Sequence, residues 1–457
     1  MKSDTIAAIA TALSNAGIGI IRISGKDSIA IADQIFKTKS GKKVSDMESH
    51  TVHYGHIVDD GNVIDEVMLL VMKAPRSYTM EDSVEIDCHG GIIVTKKVLE
   101  TVIRHGARPA EPGEFTKRAF LNGRIDLSQA EAVIDIIHAK NELSLKNSMR
   151  QLRGNVLTKI KDIRNNVLLD VAFIEAALDD PEHISLEGFN EKLSANVSTN
   201  LKSLNHLLES ADNGRMIKEG IQTVILGKPN AGKSSLMNLL VGEDRAIVTD
   251  IAGTTRDTLE ETIQLNGISL NVIDTAGIRQ TEDVVEKIGV EKAKKTASEA
   301  DLIIYVVDAS VPLDDNDYGI IEFIQDKKAI VLLNKSDLTS VIDDVTIKEL
   351  TKKEVIRISA KENTGIETME KVITSMFFKG DIAFNDEIYI TSIRHKAALA
   401  EAIKSLEQVS ESIMMGMPED FYSIDLMNSY EVLGTIIGES VDEDLVNTIF
   451  KEFCMGK

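Results

Sequence analysis

The chain has 457 residues, room for two to four domains. At 43% hydrophobic and 27% charged it has the composition of a soluble globular protein, not of a fibrous or disordered one. Its formal net charge of −22 argues against nucleic-acid binding through a broad basic surface, because phosphate contacts need Lys and Arg.

Met1-Lys2-Ser3-Asp4 leads into no long apolar run, so no secretory signal is expected. No stretch approaches the roughly 20 apolar residues of a membrane span. Cys88 and Cys454 stand far apart and suit a reducing cytoplasm rather than a disulfide framework. The nine histidines and two cysteines show no metal-ligand spacing.

Residues 1–121 read as mixed α/β. Ile18 to Ile23 is a compact apolar strand. Ser83 to Cys88 alternates polar and apolar, as a half-buried strand does, and Gly90-Gly91 ends it. Val94 to Ile103 has helical spacing. Cys88 falls on the apolar phase and reads as a small core residue. His89, beside two glycines, reads as a turn residue. From Leu127 the texture becomes helical. Val156, Ile160, Ile163, Val167, Val171, Ile174 and Leu178 define one face of a long amphipathic helix that Pro181 stops. A second helical pattern runs to about Leu208.

Asp212-Asn213-Gly214 reads as a boundary, and residues 220–379 then carry motifs in a set order. Gly227-Lys228-Pro229-Asn230-Ala231-Gly232-Lys233-Ser234 is G-x-x-x-x-G-K-[ST], between an apolar run, Thr223 to Leu226, and a helical pattern from Ser235. Backbone N–H groups and a helix N-terminus there suit phosphates. Lys233 would reach the β- and γ-phosphates, and the Ser234 hydroxyl would ligate Mg²⁺. Thr249-Asp250-Ile251-Ala252-Gly253-Thr254-Thr255 fits a switch loop, with Thr255 assigned to Mg²⁺ by position. Asp274-Thr275-Ala276-Gly277 follows Leu270 to Ile273, so Asp274 sits at a strand end. Asn334-Lys335-Ser336-Asp337 follows Ala329 to Leu333, and Asp337 can accept from two guanine N–H donors that adenine lacks. Ser359-Ala360-Lys361 follows Val355 to Ile358 and fits the loop backing the base. Any one of these could be a chance match. Four in order, each after an apolar run, define a P-loop GTPase. The GTP contacts are then Asn230 to Ser235, that is Asn230, Ala231, Gly232, Lys233, Ser234 and Ser235, with Thr249 to Thr255, Asp274 to Gly277, Asn334, Lys335, Asp337, and Ser359 to Lys361.

Many small GTPases place a water-orienting Gln after Asp-x-x-Gly. Here that position is Ile278, which cannot polarise water. Asn230 offers a hard oxygen inside the phosphate loop. With backbone carbonyls of Thr249, Ile251 and Thr254 it would hold a monovalent cation such as K⁺, doing the electrostatic work of an arginine finger. Turn preference alone also explains an asparagine there.

Past residue 379, Leu399, Ile403, Leu406 and Ile413 share a helical face, Gly416 and Pro418 break it, and Asp425 to Ile437 resumes it. Helices on both sides of 220–379 imply one helical domain, in parts 122–219 and 380–457, with a Ras-like, mostly parallel-sheet G domain inserted. The chain ends Cys454-Met455-Gly456-Lys457. It matches a prenylation box by cysteine position only, since Gly456 is not aliphatic and lysine is last; a frayed tail is the bland alternative.

Asn230, Thr249–Asp257 and Asp274-Thr275-Ala276-Gly277-Ile278-Arg279 resemble the MnmE (TrmE) family of tRNA-modification GTPases. So do Arg22-Ile23-Ser24-Gly25, Pro112-Gly113-Glu114-Phe115-Thr116, Arg118-Ala119-Phe120-Leu121-Asn122 and the tail. The resemblance implies an N-terminal domain that pairs with a second copy and binds 5-formyl-tetrahydrofolate or a related folate through Arg22, Glu81, Arg124 and Lys457. Read by charge pattern alone, these are surface ion-pair residues. It implies Glu286 as the residue orienting the attacking water, in a segment that otherwise reads as a solvated charged face. It raises Cys454 as a catalytic candidate. It also implies a cytoplasmic homodimer in complex with MnmG (GidA), an FAD- and NADH-using partner, as a heterotetramer or larger. The reaction implied adds a carboxymethylaminomethyl group at C5 of the wobble uridine of tRNA. The rival reading is a regulatory GTPase of ribosome assembly without modification chemistry. A weaker third is an ATPase.

Overall fold

The computed structural model describes residues 4–185, 187–242, 261–265, 267–273, 297–298, 300–378, 388–439, 441, 443–451, 453–454 and 456. The backbone groups into two units. One comprises Met1–Ile137, Ser148–Asn200 and Glu401–Lys457, the other His138–Asn147 and Leu201–Ala400.

In the first unit, β1 (Ile6–Ile9), β2 (Ala16–Ser24), β3 (Phe36–Lys37), β4 (Thr51–Asp59), β5 (Asn62–Met72), β6 (Ser83–Gly90) and β7 (Arg108–Pro109) form one sheet in the order β3-β4-β5-β6-β2-β1-β7. Helices α1 (Ser28–Ile35) and α2 (Ile92–Arg104) cover one face. The alternation read in Ser83–Cys88 is real: Val84, Ile86 and Cys88 enter the core with Ile21, Ile23, Leu69, Val71, Val98 and Val102. Cys88 Sγ donates to Gly19 O at 3.2 Å, and burial pushes its thiol up from its ordinary value, so it behaves as a core residue. His89 is exposed at the strand end and pairs with Asp65 at 2.7 Å.

Helices α3 (Glu114–Leu121), α4 (Leu127–Ile137), α5 (Glu142–Leu152), α6 (Asn155–Asp179) and α7 (Phe189–Glu219) follow. The stripe on α6 is buried from Val156 to Ile174, but Leu178 is exposed, because the helix ends one residue later and its last turn leaves the core. The α7 helix runs well past Leu208 and straight through Asp212-Asn213-Gly214, so the expected boundary is not a loop. Gly214 is there for contact: a Cβ would lie 2.1 Å from Ile390 O. Glycine in this helix permits close backbone approach and breaks nothing.

The second unit's sheet has the order β13-β12-β11-β8-β10-β9: β8 (Ile221–Leu226), β9 (Glu261–Leu265), β10 (Ile268–Val272), β11 (Leu302–Asp308), β12 (Ala329–Asn334) and β13 (Glu354–Arg357). All neighbours are parallel except the edge pair β9–β10. Strands β8, β11 and β12 are near-continuous apolar runs because helices cover both faces of a parallel sheet. Those helices include α8 (Lys233–Val241), α9 (Asp315–Ile324), α10 (Asp344–Thr351) and α11 (Ile366–Phe377). The last helices are α12 (Ile393–Met414), α13 (Glu419–Ile437) and α14 (Glu443–Lys451). The sequence pattern placed the start of α13 at Asp425. It begins six residues earlier, directly after Pro418, which serves as its N-cap. In the first unit α13 packs on α6, two elements far apart in sequence.

Candidate functional site

In the second unit the motif residues converge at the carboxyl ends of the parallel strands, where open α/β sheets bind ligands. The β8 strand delivers Gly227 to Gly232, and α8 starts at Lys233. Gly227 has φ +153° and a Cβ there would lie 2.4 Å from Val306 O; at Gly232, φ +99°, it would lie 2.0 Å from Asn334 Nδ2. Both glycines are therefore required by contact as well as by backbone. Asn230 adopts φ +62°, a left-handed conformation asparagine tolerates, and its side chain is exposed on the loop crest. No side chain caps α8, so its first N–H groups face the loop. Lys233 Nζ donates to the carbonyls of Gly227 and Lys228 at 2.6 and 2.7 Å, and burial pushes its ammonium down from its ordinary value. A partly desolvated ammonium beside the uncapped start of a helix suits an anion. Ala231 is buried under the loop, and Ser234 and Ser235 lie in the first turn of α8.

The residues expected to recognise the base form one hydrogen-bonded unit. Asn334 Nδ2 donates to Ala231 O at 2.9 Å, while its Oδ1 accepts from Ala360 N at 3.1 Å. One side chain thus ties the phosphate loop to the Ser359-Ala360-Lys361 loop. Asp337 Oδ1 accepts from Ser359 Oγ at 2.6 Å, and this bond holds its carboxyl below the usual carboxylate range. Lys335, at φ +62°, pairs with Asp308 Oδ2 at 2.5 Å. Burial pushes Asp308 up, but the Lys335 ammonium and the Ser310 hydroxyl outweigh it and hold the carboxyl low. Lys361 is exposed beside Glu362. Thr249, Asp250, Ile251, Ala252, Gly253, Thr254, Thr255, Asp274, Thr275, Ala276, Gly277, Ile278 and Glu286 lie outside the described residues.

In the first unit a second constellation gathers around Tyr78. The guanidinium of Arg22 lies 6.0 Å and that of Arg124 4.8 Å from the Tyr78 ring centre. Arg22 pairs with its cross-strand neighbour Glu85 at 2.7 Å and donates to Gly456 O at 3.1 Å. The tail therefore ends on β1 and β2. Gly456 adopts φ +85°, and a Cβ would lie 2.4 Å from Ile9 O. Gly113 N donates to Cys454 O at 3.4 Å, and Phe453 is buried against Gly113. Cys454 itself is exposed, and Lys457 lies outside the described residues. Glu81 accepts from Ser24 Oγ at 2.9 Å and pairs with Arg118 at 3.0 Å. Arg124 also borders a cleft of about 440 Å³ with His50, Met72, Arg76 and Met80. Sequence reasoning missed Tyr78, Ser24 and Arg118 as members of this site. Their signal is spatial, since Arg118 meets Glu81 across a sequence separation of 37.

The parallel sheet, the phosphate loop and the Asn334–Asp337–Ser359 unit define a protein of the P-loop GTPase fold. The model of the GTP-binding protein TrmE N-terminus matches residues 5–124, and that of the MnmE helical domain matches 127–454. A tRNA modification GTPase MnmE of Lachnoclostridium phytofermentans is 71% identical over 458 residues, covering 100% of both chains. One of Clostridioides difficile is 49% identical, covering 99% of both. Among solved structures, the G domain of T. maritima FeoB is 26% identical, covers 34% of this chain and 97% of its own, and has a TM-score of 0.27, too low to build on. The chain belongs to the MnmE (TrmE) family of tRNA-modification GTPases. Among the described residues no helix is long and apolar enough to cross a membrane.

Proposed function

We propose that the chain is a K⁺-dependent GTP hydrolase that, as a cytoplasmic homodimer with MnmG (GidA), adds a carboxymethylaminomethyl group at C5 of the wobble uridine of tRNA. Residues 220–379 are the switch, inserted in a helical domain of 122–219 and 380–457; residues 1–121 bind the folate one-carbon donor. The observation that carries this reading is the bond from Arg22 to the Gly456 carbonyl. A GTPase that only docked on other particles has no use for a C-terminus threaded beside an Arg–Tyr–Arg cluster in its N-terminal domain. This counts against the ribosome-assembly reading.

The residues present fit the groups the reaction needs. The uncapped start of α8 and the desolvated Lys233 suit the phosphates. Ser234 and Thr255 would ligate Mg²⁺, and Asp274 would hold it through water. Asn230, on the loop crest, offers an amide oxygen to K⁺ along with carbonyls of Thr249, Ile251 and Thr254. Bound there, the cation supplies positive charge where negative charge develops. Glu286 holds the attacking water, a task Ile278 cannot perform. For the folate, Tyr78 would give a flat apolar face, Arg22 and Arg124 would donate, and Glu81 would accept from a pterin; Lys457 would contact the ligand, and Cys454 is the catalytic candidate. The test is mass spectrometry of wobble uridine from a deletion strain carrying the chain or an empty vector. Loss of the modified nucleoside with the empty vector alone is expected; identical nucleosides in both overturn the proposal.

A further inference from the structure

The phosphate loop is gripped from outside by residues its motif does not specify. Lys228 fills the first variable position of G-x-x-x-x-G-K-[ST]. Its Nζ lies 2.6 Å from Asp317 Oδ2 and 2.9 Å from Asp314 Oδ2. Asp317 is 1% exposed although it belongs to the acidic run Asp314-Asp315-Asn316-Asp317. Its Oδ1 accepts from the hydroxyl of Tyr305, a fully buried residue of β11, at 2.8 Å. Its Oδ2 also accepts from Asp314 N at 3.0 Å, closing the capping box of α9. A buried carboxylate with donors on both oxygens has no freedom to turn. At the other end of the same residue, the Lys228 carbonyl accepts from Lys233 Nζ at 2.7 Å. Lys228 is thus held by its side chain and holds the phosphate-binding lysine by its main chain.

We propose that Asp317 is a positioning residue for GTP turnover, acting through Lys228 to preset the phosphate loop. The loop needs presetting because two of its glycines, Gly227 and Gly232, sit in conformations that carry a large entropy of ordering. Ordering completed before the nucleotide arrives is not charged against binding. The Asp317 carboxylate bonds Lys228, Tyr305 and Asp314, none of which is assigned to the γ-phosphate, Mg²⁺ or the attacking water. It therefore acts alike on ground and transition states and appears in affinity rather than in kcat.

The test uses the full chain, fluorescent GDP and a non-hydrolysable GTP analogue, with Asp317→Asn, Lys228→Met, the double variant and Lys228→Arg. Each of the first two is expected to weaken both nucleotides about tenfold, as when a hydrogen bond to a charged group is lost. Their kcat at saturating GTP should stay within about threefold of the parent, since uniform binding is what is lost. The double variant should be no weaker than Lys228→Met alone, because that variant already removes the contact with Asp317. Lys228→Arg keeps charge and donors and should restore most of the affinity. Losses that multiply in the double variant overturn the proposal. So does affinity equal to the parent's, or a fall in kcat with affinity intact. Lys228→Met leaves the buried carboxylate and Tyr305 in place, so the question stays answerable if Asp317→Asn unfolds.

Discussion

Asp337 engages Ser359 through one oxygen and is otherwise exposed, ready to accept from a base. Because the Ser359 bond holds its carboxyl low, it stays ionised well below neutrality. Guanine selection should then be flat across neutral pH and fail only in acid. Asp337→Asn replaces an acceptor with a donor, so preference should move from GTP toward xanthosine triphosphate, read in competition binding. Unchanged preference would revive the ATPase reading. Asp170 shows the opposite case. Burial pushes its carboxyl up, and the Asn196 amide and Lys192 offset only part of this. Its Oδ2 is buried without a partner among the described residues. A raised folded pKa means the native state holds the proton longer than the unfolded chain. Stability therefore falls as pH rises from about 3.9 through the folded value, and stays lower above it. Asp170→Asn keeps the acceptor for Asn196 and removes the buried charge. It should raise stability at pH 7 by about 1 kcal/mol and flatten the acid limb of the curve, measured by denaturant melts at several pH values.

Most elements were legible because their periodicities are local. The β6 alternation, the apolar runs of β8, β11 and β12, and the α6 stripe each need only a short window of sequence. What stayed hidden was contact between distant segments. Gly214 looked like a breaker because glycine usually is one; only the Ile390 carbonyl 2.1 Å from its missing Cβ shows why a long helix tolerates it. This reverses the sign of a familiar substitution. Gly→Ala inside an exposed helix usually gains about 1 kcal/mol. Gly214→Ala should instead lose about 1–3 kcal/mol by overpacking backbone, seen as a lower melting temperature. The tail is a similar case. Its motif was readable, its path was not, because the path depends on Phe453 and Gly456 meeting Gly113 and Ile9. Gly456→Ala should release it, at a strain of about 1–3 kcal/mol. Hydrogen exchange at Ile6–Ile9 should then speed up; exchange as slow as the parent's would mean that the tail contributes nothing to that strand.

For the whole molecule the two facts to reconcile are a charge of −22 and membership of a family that acts on tRNA. An acidic chain of this kind gains little from phosphate contacts, which favours a partner that supplies the positive surface. The same economy applies inside the G domain. Where many small GTPases carry a water-orienting Gln this chain has Ile278, and in the proposed function a K⁺ ion supplies the further positive charge for the transition state. Asn230 is the proposed ligand: an exposed amide at φ +62°, on the crest of a loop whose own lysine is half-buried. A ligand cage built from one amide and backbone carbonyls discriminates by size, so K⁺ and Na⁺ should not be interchangeable. Replacing K⁺ by Na⁺ should slow turnover at least about tenfold, within the range seen when one transition-state stabiliser is removed. Asn230→Ala should turn over at that slow rate in either salt, yet bind GDP nearly as the parent does, because the proposed cation would act on charge that appears only during the reaction. The measurement is steady-state phosphate release in matched K⁺ and Na⁺ buffers, with GDP affinity as the control. Equal rates in the two salts, together with full activity of Asn230→Ala, would show that the charge comes from somewhere other than this loop.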